Sequence, residues 1–460
     1  MLTLLSLCLF SCQEDSSPSI PITPVSPTPQ IERPNILMVV MDTTRQDALG
    51  VYGNTLPTSP NFDQLSTQGM LYTNAWSPAS WTWPAHASMF TGLYPWEHGA
   101  HFTEDTKGAI ALDPDPLLVS SYVKGTKTLA DELTELGYET IAISANRLIG
   151  PNFPLVQGFS HSEYQNDDAV VWESVQKVLG QKREKPLFLF VNLMSAHTPW
   201  FRNNAPWIKK YGNELNPQST PPWLQGYLMA NGIGIHPYLP KEGSNMVFRH
   251  LSGVESLEAP QLQFLEDMYW GEVSRTDKFL GLISQAWKVQ NPDPKMVVVS
   301  DHGEYFGEHG LLEHGRTLYP EVISVPLLVV GNDTGKFDKA VSTKDVYCSI
   351  LTFAKAPQEE CGLLNPKDEI YAGAWVDVHW AKKLGGQFTK EYRAAISEEQ
   401  FLIANSEMGC EIVSLTDGSV QQCHSHGLQN LFTDGKTGEA VETDEKTLRE
   451  LQKLGYVGQD

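Results

Sequence analysis

Basic residues are scarce in this chain: 33 lysines and arginines face 55 aspartates and glutamates over 460 residues, a formal net charge of −22. That balance excludes a nucleic-acid partner, because phosphate-backbone binders concentrate lysine and arginine on one face. An acidic surface of this kind keeps an exported protein in solution. No apolar run is long enough to span a bilayer. Cysteine is also sparse, six in all, and the four beyond residue 300 (Cys348, Cys361, Cys410 and Cys423) show no Cys-x-x-Cys spacing, which excludes zinc-ribbon and thioredoxin readings. Cys348 with Cys361 and Cys410 with Cys423 can pair over short range in an oxidising compartment; four buried thiols are the alternative. Internal repeats are absent.

What is present begins at the N-terminus. Met1 to Ser11 is apolar and uncharged. Leu9-Phe10-Ser11-Cys12 reads as a lipobox, in which a signal peptidase cuts before a cysteine that then carries lipid. The positive segment that normally opens a signal peptide is missing. Residues 13–33 are rich in Ser, Pro and Thr, the composition of an extended tether. The order of these features predicts a signal peptide over 1–12, a membrane anchor through lipid on Cys12, and a periplasmic or cell-surface lipoprotein. A cytoplasmic protein with an apolar start is the alternative.

Several apolar runs end in a polar residue of catalytic type. Ile36 to Met41 is followed by Asp42, Glu139 to Ala145 by Asn146, Leu187 to Leu193 by Ser195 and His197, and Met296 to Val299 by Asp301 and His302. Short Val, Ile and Leu runs read as strands of a parallel sheet buried on both faces. Helical patterns lie between them, such as Thr128 to Leu136, and the alternation predicts an α/β fold with a doubly wound, mostly parallel sheet. In such sheets ligands bind beyond the carboxyl ends of the strands, so these runs deliver their polar residues to one edge. Residues from about 200 to 260 break the rhythm with Trp200, Trp207, Trp223, Tyr227 and Tyr238, and read as an irregular insertion, a lid or a substrate wall. Past residue 365, strands at Tyr392 to Ser397, Phe401 to Asn405 and Glu411 to Ser414 and a helix near Glu445 to Leu454 predict a small C-terminal antiparallel sheet and helix. The expected organisation is a catalytic domain over 34–364 and a small subdomain over 365–460.

Three ordered blocks resemble the sulfatase family of the alkaline phosphatase superfamily. Arg33-Pro34-Asn35-Ile36-Leu37-Met38-Val39-Val40-Met41-Asp42-Thr43 is similar to its opening strand and first metal-binding aspartate. Ser80-Trp81-Thr82-Trp83-Pro84-Ala85-His86-Ala87-Ser88-Met89-Phe90-Thr91-Gly92 resembles its signature, and Val299-Ser300-Asp301-His302-Gly303-Glu304 resembles its second metal block. The closing Leu454-Gly455-Tyr456-Val457-Gly458 is an ending common among bacterial members. The resemblance covers roughly residues 33 to 330 well. It implies an alkaline phosphatase-like fold and one divalent metal ion, Ca, Mn, Mg or Zn, held by Asp42, Asp301, His302 and Thr82. The departures are specific. Thr82 stands where sulfatases convert a cysteine or serine to formylglycine, and His86 stands on the arginine that the converting machinery reads. Thr43 replaces a second aspartate, and Asn146, beside Arg147, replaces a sulfate-contacting lysine.

The chemistry follows from these positions. Pro84 favours a helix start, which puts Thr82 near a helix N-terminus, where an anion is favoured. A threonine hydroxyl needs a metal or a base beside it to act as a nucleophile. His86, His197 and His314 are candidate catalytic groups, since imidazole can contact ester oxygens or protonate a leaving group. Asn146 and Arg147 are candidate substrate contacts. The leading expectation is a metal-dependent hydrolase of sulfate or phosphate esters that uses unmodified Thr82, acting on a sulfated or phosphorylated small molecule or glycan. A phosphoryl-group transferase and a noncatalytic protein that binds an anionic glycan are the alternatives.

Overall fold

The computed structural model describes residues 32–103, 119–198, 200, 250–356 and 362–424, except 252, 254–255, 332, 364–368, 408 and 417–418. The lipobox and tether, the insertion beyond Trp200 up to residue 249 and the expected helix near Glu445 to Leu454 lie outside the described residues.

Eight strands form the main sheet, in the spatial order Gly335–Phe337, Met70–Tyr72, Leu327–Val330, Lys295–Val299, Ile36–Met41, Leu187–Leu193, Glu139–Ser144 and His161–Tyr164. From Lys295–Val299 to His161–Tyr164 every pairing is parallel. Leu327–Val330 runs antiparallel to both of its neighbours. The four runs expected to be strands are strands, and they occupy the centre. The four strands that sequence reading passed over are three or four residues long and lie toward the edges, too short for a periodic signal.

Successive residues of a strand point to opposite faces, and here both faces are covered. Leu37, Val39 and Met41 pack with Leu189, Val191 and Val298 against the helices Asp168–Leu179 and Ala259–Gln290. Ile36, Met38 and Val40 pack with Phe188, Phe190 and Val297 against Trp83, Met89 and Phe90 of the helix Thr82–Thr91 and against Val346–Phe353. The sheet is thus a doubly wound α/β core, as the runs predict.

A second sheet of five antiparallel strands follows in simple sequential order, Ile370–Ala374, Tyr392–Ile396, Gln400–Asn405, Gly409–Ser414 and Val420–His424. Its inner face, with Ile370, Ala394, Phe401 and Ile403, shares an apolar cluster with Trp76, Tyr305, Leu318 and Val322. A disulfide joins Cys410 to Cys423 across its last two strands. Cys348 is also disulfide-bonded, and the expected partner, Cys361, lies outside the described residues.

Candidate active site

Parallel register brings the site together. Val40 pairs with both Val299 and Asn192, and Asn192 pairs with Ser144, so Asp42, Asn146 and Asp301 leave the sheet at one level. Asp42, Asp301 and His302 are all fully buried, and one ligand atom from each lies within 4.8 Å of the others.

Thr43 links the two carboxylates. Its backbone N–H donates to Asp301 Oδ1 at 3.1 Å and its hydroxyl to Asp42 Oδ1 at 2.8 Å. It does so with a φ of 63°, a left-handed conformation that a β-branched residue adopts only when its surroundings impose it. The Tyr269 hydroxyl, from the long helix, supplies that constraint by donating to the Thr43 carbonyl at 2.9 Å and accepting the Arg45 N–H at 2.8 Å.

Asp42 Oδ2 accepts from the amides of Asn146 at 2.8 Å and Asn192 at 3.1 Å. Burial alone would push the Asp42 carboxyl up, but His197, His302, His86 and the Asn146 amide outweigh it and hold Asp42 below its ordinary value. Burial and the nearby Asp42 charge push Asp301 well above its own. Two carboxylates this close favour a shared proton or a cation between them.

Thr82 is the first residue of the helix Thr82–Thr91, preceded by Trp81 as N-cap, and the whole helix is buried. Its Oγ1 lies 3.4 Å from His302 Nε2 and accepts from the Asn146 amide at 3.3 Å. The Nδ1–H of His302 donates to the Gly303 carbonyl at 2.9 Å, which leaves Nε2 facing Thr82 and the carboxylates. That is the tautomer a metal ligand needs. Asp301 Oδ2 lies 3.4 Å from both His302 Nε2 and His86 Nδ1 and, among the described residues, has no hydrogen-bond partner. An orphaned buried carboxylate oxygen, an imidazole lone pair and a hydroxyl converging on one point fit a divalent cation.

The remaining candidates divide. His86 Nδ1–H donates to the Thr82 carbonyl at 3.0 Å, and its Nε2 lies 3.4 Å from the Asn192 amide. Burial drives its pKa down to about 4, so it braces the cluster as a neutral ring and supplies no charge of the kind an arginine would. His197 and His314 belong to one group of rings: His314 lies 4.2 Å from His302 and 4.9 Å from His197, centroid to centroid. Asn146 is at the heart of the site. Arg147, next to it, lays its guanidinium over the ring of Tyr164 at the sheet edge.

Sequence reading missed several contributors. Asn192 is a polar residue inside a fully buried strand, and that interruption of an apolar run was the available signal. Glu304 Oε1 lies within hydrogen-bond distance of His314 Nδ1, at 3.0 Å. Asp168 receives the backbone N–H groups of Met194 and Ser195 at 2.8 and 3.0 Å and so pins the turn that carries His197. No local pattern distinguishes Asp168 from a helix-capping acid.

The sulfatase family profile matches residues 34–356. The arylsulfatase of Clostridium perfringens is 23% identical over 391 residues, covering 70% of this chain and 75% of that protein. The N-acetylglucosamine-6-O-sulfatase of Bacteroides thetaiotaomicron is 26% identical over 412 residues, covering 74% and 70%. Among solved structures, a protein in complex with its substrate D-glucosamine-2-N,6-O-disulfate superposes with a TM-score of 0.62 at 16% identity, covering 84% of this chain and 92% of that one. The phosphonate monoester hydrolase of Agrobacterium radiobacter superposes at 0.59 with 17% identity, covering 84% and 90%. The chain belongs to the sulfatase family of the alkaline phosphatase superfamily and is a sulfatase-like ester hydrolase.

Proposed function

We propose that this chain hydrolyses sulfate or phosphate esters in a metal-dependent reaction with the unmodified hydroxyl of Thr82 as nucleophile. The observation that carries the reading is the convergence of Thr82 Oγ1, His302 Nε2 and the orphaned Asp301 Oδ2 on one buried point. Asp42, Asp301, His302 and Thr82 would hold one divalent ion, which when bound lowers the pKa of the threonine hydroxyl and polarises the ester. The chain's own groups do the rest. The Asn146 amide fixes Thr82 Oγ1 and Asp42 together, and Thr43 locks both carboxylates. His314 stands beside His302, and His197 beside His314, to carry protons to the leaving oxygen and from the attacking water.

A formylglycine hydrate expels sulfate by eliminating from itself, whereas a threonine ester must wait for water. Phosphodiesters and phosphonates tolerate that route well, and the similarity to a phosphonate monoester hydrolase keeps them beside sulfate as substrates. The substrate-bound neighbour and the glucosamine sulfatase relative support a sulfated sugar as the first substrate to assay. A noncatalytic role is disfavoured by the retained Asp42, Asp301 and His302. The same reading includes export and lipidation at Cys12, supported by the disulfides at Cys348 and at Cys410 and Cys423, which suit an oxidising compartment. The test is Thr82→Ser against Thr82→Ala on aryl sulfates, phosphodiesters and sulfated glucosamine. Substantial activity in the serine variant with none in the alanine variant, at equal metal content, is expected; equal activity in both eliminates the threonine mechanism.

A further inference from the structure

We propose that Glu304 is the positioning residue for His314: it binds the Nδ1 side of that ring and thereby turns Nε2 toward the ester. The inference rests on the reading of this cluster as an ester-hydrolysing site. Its origin is local. Tyr305 pairs with Glu313 in a two-stranded antiparallel hairpin, Tyr305–Phe306 with Leu312–Glu313, so the residues just outside the pair, Glu304 and His314, face each other across its open end. Their side chains meet at 3.0 Å, His314 Nδ1 against Glu304 Oε1, and an ionised Glu304 accepts the Nδ1–H.

Glu304 is fully buried, and among the described residues its Oε2 has no hydrogen-bond partner. A buried carboxyl oxygen left without a hydrogen bond is costly and is not there for stability. The two guanidinium groups nearby serve other atoms. Arg45 Nη1 donates to the Glu304 backbone carbonyl and to Glu308, and Arg316 donates to the carbonyls of Leu312 and His314 and to Glu313. Among the described residues, the one side chain hydrogen-bonded to the Glu304 carboxyl group is therefore His314. A histidine has two inequivalent nitrogens, and the group bound to one decides which faces the reactants. Packing of His302 and His197 against the ring confines it from the other sides.

The test uses the metal-loaded full chain with selectively ¹⁵N-labelled histidine. In the wild type, His314 should report the Nδ1–H tautomer, and Glu304→Ala should abolish that preference. In kinetics, Glu304→Ala should lower kcat by about 10- to 100-fold with KM little changed, the range typical for groups that orient functional histidines. Glu304→Gln, whose amide oxygen still accepts from Nδ1–H, should recover most of the loss. In a His314→Ala background Glu304→Ala should cost almost nothing further. An equal loss in both backgrounds, or an unchanged His314 tautomer in Glu304→Ala, overturns the proposal. If no substrate of the panel is turned over, the hydrolase reading fails, while the tautomer measurement still decides the role of Glu304.

Discussion

Thr43 shows how much of this site is decided at single residues. A β-branched side chain in a left-handed conformation is strained by about 1–3 kcal/mol, yet from there its N–H and O–H orient both carboxylates. Aspartate tolerates that conformation better and restores the second carboxylate found in many sulfatases. Thr43→Asp should therefore lower the melting temperature of the metal-free protein through charge repulsion while enlarging the upward shift on adding Ca²⁺, read by thermal melts with and without calcium. Asn192 gives a second expectation. Asn192→Leu removes a donor to Asp42 and should weaken metal affinity by about 10- to 100-fold in a calorimetric titration, with the fold retained. The blocks around Asp42, Thr82, Asp301 and His302 were legible in the sequence because short, ordered strings carry them. Asn192, Glu304 and Asp168 were not, because their meaning lies in which distant atom they touch: 150 residues separate Asn192 from Asp42.

Among the elements, the helix Ala259–Gln290 is the organiser that the sequence reading did not single out. It contributes Tyr269 to the end of the opening strand, and Arg275 to the turn of His197 through Ser195 and Asp167. It also supplies Asp277, which caps the helix Pro60–Ser66 by accepting the N–H groups of Asn61 and Phe62. Burial pushes the Asp277 carboxyl up from 3.8 to about 6, against the opposing pull of those hydrogen bonds. A folded value above the unfolded one means that the native state takes up a proton as pH falls from about 6 toward 4, so this group favours the fold increasingly across that window and penalises it above. Asp277→Asn should flatten that stretch of the stability profile measured by urea denaturation at several pH values. Asp168→Ala should act on the neighbouring turn, lowering stability by about 1–3 kcal/mol by leaving the buried Met194 and Ser195 N–H groups unpaired, and reducing kcat by loosening His197. The central strands were readable as apolar runs buried on both faces, whereas the antiparallel Leu327–Val330 looks like any parallel strand, since strand direction leaves no mark on composition.

For the whole molecule, the C-terminal sheet is locally built even though it shares an apolar cluster with the main body. Its strands follow one another in simple order and its disulfide closes a local loop of 13 residues' separation. The Cys410→Ser/Cys423→Ser double variant should lose about 2–3 kcal/mol in denaturant unfolding while keeping its metal content. The main sheet has the opposite character. Ile36–Met41 lies between Leu187–Leu193 and Lys295–Val299, and Thr43 reaches Asp301 across 258 residues of chain. During synthesis, the opening strand is therefore made long before one of its two partners, and it waits with an unpaired, wholly apolar edge until residue 299 has emerged. A ribosome-bound fragment ending anywhere before that point holds half a cation cage and an adhesive strand. Asp42 and Asp301, the two carboxylates of the candidate cation cage, therefore come together only once the last central strand can dock.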